Sequence, residues 1–204
     1  MCTSPPAPRK EAVSNQQEAA QYIVLDLETE RLAEEVGGWV PERFGLAVAV
    51  TWDQRNGFRE WYKEDVEALA REMSAFDLVV GFNVIRFDYG VLAAYCHGVR
   101  ELLRHKTIDI LADVYDALGF RVSLENLAGA TLGRGKTGTG IEAVEWWREG
   151  KRDLVIKYCR ADVELTRDLY LHGVNHGVIY YPSYGRKRQM KVDWRGPLSC
   201  QVRQ

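Results

Sequence analysis

The sequence predicts an α/β fold in which a mixed sheet carries helices on both faces. Three observations favour this class. Strand-like apolar segments occupy the first half of the chain, helical spacing occupies most of the second half, and one helical segment lies between two strands. With 204 residues, of which 46% are hydrophobic and 27% charged, the chain can form one domain with a sizeable core.

Four segments are predicted to form strands. Residues 22–27, within QYIVLDLE, are apolar on both faces, which is typical of a central strand in a covered sheet. Residues 44–52 and 57–62 follow as a hairpin around a DQRN turn. Residues 77–82 form a short buried strand.

Helical spacing is first found at Val66, Leu69, Ala70 and Met73, which predicts a helix within residues 64–73. The same kind of spacing predicts helices in FDYGVLAAYCH (87–97), the second part of TIDILADVYDALG (107–119), SLENLAGATLG (123–133), IEAVEWWREG (141–150) and RDLVIKYCRADVELTRDLYLHG (152–173). We expect a flexible leader at 1–18, one domain at 19–182, and a basic tail of unassigned structure at 183–204.

The segment GRGKTGTG (133–140) resembles a phosphate-binding loop but fails two requirements of that motif. The first glycine of G-x-x-x-x-G-K-[ST] would have to stand at residue 130, which is Ala130. A strand should precede the loop, whereas LENLAGATL has helical spacing. We therefore interpret the segment as a connector between two helices, in which Lys136 could still contact a backbone phosphate.

Composition excludes some functional classes and leaves others open. The four cysteines form no C-x-x-C pair, which favours a cytoplasmic protein with reduced thiols. No apolar run is long enough to cross a membrane. A formal net charge of -2 neither indicates nor excludes binding to nucleic acid, because binding depends on local patches.

Two acids interrupt the apolar first strand. Asp26 and Glu28 are two residues apart, so their side chains lie on the same face at the C-terminal end of the strand, where open α/β sheets bind ligands. Paired carboxylates there could hold a hard divalent cation. A strand end that has reached solvent would give the same pattern.

Two further motifs place polar groups at unexpected positions. Tyr158 and Asp162 have i, i+4 spacing on the last long helix, and Asp162 falls on an apolar stripe that includes Leu154, Leu165 and Leu169. An ordinary Tyr–Asp contact at the edge of the buried face is the alternative. The third motif is GFNVIRFD.

Asn83 and Asp88 in GFNVIRFD follow the strand at 77–82 directly, so they too lie at a strand end. A helix-capping turn would explain both residues equally well. Each of the three motifs is weak alone, but they occur in a fixed order along the chain.

Together these motifs resemble the DEDD superfamily of 3′–5′ exonucleases, in the tyrosine subgroup (DEDDy). The closest resemblance is to stand-alone ribonuclease-H-like domains related to the proofreading exonuclease of family-B DNA polymerases. It extends from residue 22 to about residue 175 and includes Phe87 beside Asp88. The resemblance implies a ribonuclease-H-like mixed sheet in which 22–27 is central, 44–51 is antiparallel to it and 77–82 is parallel.

The resemblance also implies a catalytic set. Asp26, Glu28, Asp88 and Asp162 would hold two divalent ions, Mg²⁺ or Mn²⁺, with Asp26 shared between them. Tyr158 would orient the attacking water, since a phenol with a pKa near 10 is a poor base at neutral pH. Asn83 and Thr29, the residue after Glu28, would position the 3′-terminal nucleotide.

A polyanionic substrate also requires basic contacts. Candidates are RELLRHK (100–106), Arg134 with Lys136, and GRKRQMKVDWR (185–195), although a solvated basic segment is an equal alternative for the last. Trp146 and Trp147 could stack bases, but adjacent helical positions diverge, so we expect at least one in the core. His172 and His176 lack a third zinc ligand, and Cys96 with His97 lacks catalytic partners.

The sequence thus predicts a metal-dependent 3′–5′ exonuclease acting on single-stranded DNA or RNA 3′ ends. A catalytically silent nucleic-acid-binding module and a structure-specific endonuclease on the same fold are the alternatives. Four intact acids argue against the first, and the Tyr158–Asp162 pair argues against the second.

Overall fold

A computed structural model of the protein describes residues 20–135 and 140–195. The expected leader (1–18) and the end of the expected tail (196–204) lie outside these residues. So does Lys136, for which a phosphate contact was considered. Within the described ranges, no helix is both long and apolar enough to cross a membrane.

One five-stranded sheet forms the centre of the protein. Its strands are β1 (Tyr22–Thr29), β2 (Leu46–Asp53), β3 (Gly57–Trp61), β4 (Leu78–Gly81) and β5 (Thr107–Asp109). The order across the sheet is β3-β2-β1-β4-β5. β1 is central, pairs antiparallel with β2 and pairs parallel with β4, which confirms the predicted arrangement.

Helices cover both faces of this sheet. They are α1 (Val66–Ser74), α2 (Asp88–Ala93), α3 (Val99–Leu103), α4 (Ile110–Leu118), α5 (Leu124–Leu132), α6 (Gly140–Arg148) and α7 (Arg152–His176). Short 3-10 helices lie at Ala33–Val36, Pro41–Arg43, Lys63–Asp65 and Arg104–Lys106. The mixed α/β class predicted from the sequence is confirmed.

Alternation along β1 divides the core into two halves. Ile23 and Leu25 pack on one face against α1, α2 and α3. Val24 packs on the other face with residues of α4, α5 and α7. Asp26 and Glu28 continue the series of Val24, so both acids face the side of the sheet that α7 covers.

The predicted helices agree with the structure except in two details. The helix expected at 87–97 ends at Ala93, because the chain turns at Tyr95, whose hydroxyl accepts the Leu46 backbone N–H, before α3 begins. Leu154 is 42% exposed, so its assignment to the apolar stripe was wrong. The buried face of α7 runs through the neighbouring Val155, then Tyr158, Cys159 and Asp162.

Part of the segment left unassigned in the sequence is a hairpin. Strands β6 (Val178–Ser183) and β7 (Arg186–Lys191) pair antiparallel after α7. The two-residue turn between them is Tyr184–Gly185, and both residues have positive φ (49° and 70°), as a type I′ turn requires. The sequence did not predict the hairpin because tyrosine is unusual at the first of these positions, where Asn, Asp and Gly dominate.

Candidate nuclease site

Four acids from three elements converge at the C-terminal ends of β1 and β4. Asp26 and Glu28 come from β1, Asp88 begins α2 just after β4, and Asp162 lies in the middle of α7. Because parallel strands end at the same edge of a sheet, the β1 acids and the loop after β4 are neighbours. The α7 helix reaches the same edge because it packs on the face that Asp26 shares with Val24.

A β-bulge shapes the end of β1. The register with β2 shifts between Glu28 and Thr29, so that Glu28 pairs with Val48 while Thr29 pairs with Leu46. The extra, unpaired residue is Ala47 of β2, so the local bend lies in β2 beside the acids. Glu28 and Thr29 are each only 8% exposed, as expected for a central strand whose two faces are both covered.

Cys159 marks the point around which three of the acids gather. Its Sγ lies 3.4 Å from the Asp26 backbone oxygen and 3.5 Å from Asp26 Oδ2. Burial raises the pKa of the Cys159 thiol well above its ordinary value, and the charges of Asp26, Glu28 and Asp162 raise it further. Cys159 was not expected from the sequence to be a site residue, although it lies between Tyr158 and Asp162 on the buried face of α7.

Asp88 completes the acidic cluster. It is 2% exposed, and burial raises its pKa well above the ordinary value of an aspartate, with the charges of Asp26 and Asp109 adding to the rise. Hydrogen bonds from its own backbone and from that of Leu27 act in the opposite direction. Asp26 and Asp88, two of the four acids expected from the sequence to act together, are therefore close enough for the charge of Asp26 to raise the pKa of Asp88.

Asp109 positions the loop that carries Asn83, and the sequence did not reveal this role. Its carboxylate accepts the backbone N–H groups of Asn83 (2.8 Å) and Ile85 (3.0 Å), and it also caps α4. Asn83 has a φ of 66°, a conformation that asparagine adopts more readily than most residues. At Gly81 an added Cβ would lie 2.6 Å from the Val84 Cβ, so the tight loop also needs this glycine.

Three of the acids, Asp26, Glu28 and Asp162, open onto a cleft of about 400 Å³. One wall carries three aromatic rings: Trp39 lies 5.5 Å from Phe44 and 5.4 Å from Phe87, centroid to centroid, and Trp39 remains 54% exposed. The opposite wall includes Ile141 and Val144 of α6. An ion pair between Arg148 of α6 and Glu35 joins the two sides.

Polar residues also line this cleft. Thr29 and Asn83, expected to position a nucleotide, are both among them. Arg31 and Arg121 supply positive charge that the sequence analysis did not anticipate, and Arg121 Nη2 donates to Asn83 Oδ1 over 3.3 Å. In the sequence, these two arginines are distinguished only by standing next to motif or turn residues.

Tyr158 lies at the edge of the cleft and of the core. It is 5% exposed, and the ring of Trp146 meets its ring edge-on at a centroid distance of 6.1 Å. Trp146 therefore packs against Tyr158. The Arg152 guanidinium lies over the ring of Trp147, 3.9 Å from its centroid. Both tryptophans are partly buried against the core, which leaves Trp39 as the exposed indole of the cleft.

Other candidates for substrate binding lie elsewhere. Arg134 is ion-paired with Asp168 on α7 and does not line the cleft, so its contact with substrate stays a prediction. In the segment 100–106, Arg100 pairs with Glu42, and Lys106 Nζ donates to the backbone oxygens of Ser74 and Phe76. Lys106 precedes β5 and thus lies at the opposite end of the sheet from the acids.

The donor set fits a divalent cation. One ligand atom from each of Asp26, Glu28 and Cys159 lies within 4.8 Å of the other two, and the carboxylate oxygens of Asp88 and Asp162 are close enough to act electrostatically on this group. Carboxylate oxygen is the ligand type that Mg²⁺ and Mn²⁺ prefer. The pKa of Asp88 is raised first by burial and then by the charges of Asp26 and Asp109, and a nearby cation would counteract both effects.

The central β1, its antiparallel and parallel neighbours, and the acids at its C-terminal end together define a ribonuclease-H-like α/β domain. A model of the RNase_H superfamily matches residues 23–173. The chain therefore belongs to the RNase_H superfamily, and this membership supports nuclease activity in general.

Comparison with solved structures agrees on the fold. The chain is similar to the family B DNA polymerase from the hyperthermophilic archaeon Pyrobaculum calidifontis, with a TM-score of 0.53 and 14% sequence identity. The match covers 76% of this chain and 24% of the polymerase, so the chain spans about a quarter of that protein. Among curated proteins, none matches the chain significantly.

Proposed function

We propose that the protein is a metal-dependent 3′–5′ exonuclease of the DEDDy type that hydrolyses single-stranded DNA or RNA from the 3′ end. The observation that carries this proposal is that Asp26, Glu28 and Asp162 line one cleft, with Asp88 buried close to Asp26 and with Tyr158 at the edge of the cleft. RNase_H superfamily membership supports the nuclease class. The finer specificity rests on the tyrosine motif and on the shape of the cleft.

The four acids would hold the cations. Two divalent ions, Mg²⁺ or Mn²⁺, would supply Lewis-acid stabilisation of the charge that develops on the phosphate. The chain itself contributes a rigid set of carboxylates, because Asp26 and Glu28 are fixed by β1, Asp88 by the first turn of α2, and Asp162 by the long helix α7. Rigid placement matters because a site that moves to meet its substrate loses part of its catalytic advantage.

Tyr158 would orient the attacking water. Its ring is held by Trp146 and by the buried face of α7, so its hydroxyl has little freedom. A neutral phenol can both donate and accept a hydrogen bond, and can therefore aim a water without removing its proton.

The terminal nucleotide would be held by the walls of the cleft. Trp39, exposed above Phe44 and Phe87, offers a face for base stacking. Thr29 and Asn83 offer hydrogen bonds to the sugar, and Arg31 and Arg121 offer charge to the phosphates.

Product analysis tests this function. A 5′-labelled 20-nucleotide strand, as DNA or RNA, should be shortened stepwise from its 3′ end in Mn²⁺, and a circular strand of the same base composition should survive. Internal cleavage of the circle would instead indicate an endonuclease. Binding without any cleavage in Mg²⁺ or Mn²⁺ would indicate a catalytically silent module.

A further inference from the structure

The hairpin β6–β7 concentrates positive charge in a chain whose formal net charge is -2. Between residues 178 and 191 it carries four basic residues and no acidic one; they are Arg186, Lys187, Arg188 and Lys191. All four are exposed. Within the described ranges, none of these four side chains forms an ion pair, although Lys187 Nζ lies over the ring of Tyr180 at 4.1 Å from its centroid.

Strand register separates a buried part of the hairpin from an exposed one. Ile179 pairs with Met190, and both side chains are buried in the core. On the same face and further out, Tyr181 pairs with Arg188 and Ser183 pairs with Arg186. The hairpin is thus anchored at its base and presents a tyrosine and two arginines beyond the anchor.

An aromatic contact joins this exposed face to the cleft. The ring of Tyr181 lies 6.1 Å from that of Phe120, which is 46% exposed at the end of α4. The next residue, Arg121, lines the cleft and donates to Asn83. From the cleft outward, the series therefore contains Arg121, the aromatic pair Phe120–Tyr181 and then Arg188.

The tip of the hairpin extends this series. Tyr184 is 97% exposed and has a φ of 49°, which is uncommon for a residue with a large side chain. Neither burial nor backbone preference explains a tyrosine there, whereas base stacking on an exposed ring would.

From these observations we infer that the distal part of the β6–β7 hairpin, with Tyr181, Tyr184, Arg186 and Arg188, forms together with Phe120 a binding track for the single-stranded nucleic acid that leads away from the cleft. Basic side chains bind the phosphates and displace their counterions, and exposed rings stack on bases of any sequence. The inference rests on the proposed function for its direction, because the cleft would hold the 3′ end.

The track is tested by the length dependence of binding. Fluorescein-labelled dT20, U20 and the trinucleotide dT3 are titrated in Ca²⁺ and followed by anisotropy, and cleavage of dT3 is measured separately in Mn²⁺. The test variant is Arg186→Glu/Arg188→Glu. The control, Arg55→Glu/Arg71→Glu, changes the net charge equally but alters exposed residues of the turn between β2 and β3 and of α1.

The test variant should bind dT20 and U20 at least about tenfold more weakly, while dT3 cleavage stays at the parental rate. Losing two phosphate contacts should reduce the slope of log K against log salt by about 1.4. Tyr184→Ala should weaken dT20 binding by about fivefold or more through lost stacking. The control should bind as the parent does.

The track and the proposed function fail in different ways. Unchanged dT20 and U20 binding by the test variant, or an equal loss in the control, would overturn the track even if dT3 is cleaved normally. A track confirmed by binding while no variant or parent cleaves dT3 or dT20 would instead overturn the exonuclease assignment.

Discussion

The acidic cluster at the end of the sheet and the basic hairpin beyond α7 differ in whether their charged side chains are buried or exposed. Asp88 and Asp162 are 2% and 4% exposed, and their elements are far apart in the sequence. The hairpin bases are exposed and lie within six consecutive residues. Buried acids repel one another, whereas exposed bases are screened by water and salt.

This difference has consequences for what each region can do. A cluster of buried, fixed acids can hold cations in one geometry, and one substitution leaves the remaining charges misplaced. A row of exposed bases adds attraction in small, separable amounts that depend on salt. We therefore expect all-or-none effects in the cluster and graded effects on the hairpin.

The largest effect is expected for Asp162→Asn, which removes one charge from the cluster. Single-turnover cleavage of a labelled strand at saturating Mn²⁺ should fall by at least about 1000-fold, since a metal ligand is weakened along with the geometry of the site. Mn²⁺ should also raise the melting temperature of the parent protein more than that of the variant. Asp153→Asn, at an exposed acid in the first turn of the same helix, is the control and should change neither quantity.

Tyr158→Phe separates catalysis from packing within the cluster. The ring should still pack against Trp146, so binding to dT20 in Ca²⁺ should persist. Turnover should drop by about a hundredfold, the usual contribution of a positioned hydrogen-bonding group. A variant that cleaves at the parental rate would remove Tyr158 from the catalytic set and leave the four acids.

The attachment of the hairpin is tested by two glycines in helices. At Gly173 an added Cβ would collide with the indole of Trp194, a residue just beyond β7. The Trp194 Nε1–H donates to Asp113 Oδ2 over 2.7 Å. Gly173→Ala should therefore lower the free energy of unfolding by about 1–3 kcal/mol. At Gly129, in α5, the nearest atom to an added Cβ is the Arg134 backbone oxygen at 4.0 Å, so Gly129→Ala meets no clash and should raise the free energy of unfolding by about 0.5–1 kcal/mol.

Denaturant unfolding of the two variants measures these changes. Equal effects of both substitutions would show that Trp194 does not hold the segment after β7 against α7. If Gly173→Ala shifts the hairpin, it should also weaken dT20 binding while affecting dT3 cleavage less. That result would show that the hairpin contributes to binding of long strands, whereas the acidic cluster is responsible for cleavage.

The smallest expected effect is a dependence of stability on pH at the C-terminal end of α7, where the hairpin begins. Burial lowers the pKa of His172, and the charges of His176 and Lys187 lower it further. At acidic pH the His172 ring therefore binds fewer protons in the folded protein than in the unfolded chain. The contribution of His172 to the free energy of unfolding is fully present above about pH 6.5, the ordinary histidine pKa. It is lost as the pH falls through the pKa of the folded state. His172 is partly buried, but the neighbouring His176 and Lys187 are exposed, so screening of their charges keeps the effect small.

Titration of the His172 ring by NMR provides the measurement. Its pKa should lie below the ordinary value, and Lys187→Gln should raise it by removing a nearby positive charge. No change in Lys187→Gln would show that the hairpin does not influence this end of α7.

Sequence periodicity determined how residues are grouped within each element. Asp26 and Glu28 share a face because side chains alternate along a strand, and Tyr158 and Asp162 share one because a helix turns every 3.6 residues. The same reasoning placed Val66, Leu69, Ala70 and Met73 on the buried face of α1, where all four lie. These relations depend on local backbone geometry, which the sequence specifies directly.

The tertiary structure decided which groups from different elements meet. Three contacts illustrate this: Cys159 approaches Asp26, Asp109 holds the loop that carries Asn83, and Phe120 touches Tyr181. In each case the two residues are separated in the chain by a distance that no helical or strand period predicts. Such contacts depend on which face of the sheet each helix covers and on how closely the side chains between them pack. The acids could thus be recognised from their order in the chain, but the cleft they share with Trp39, Arg31 and Arg121 exists only in the folded protein.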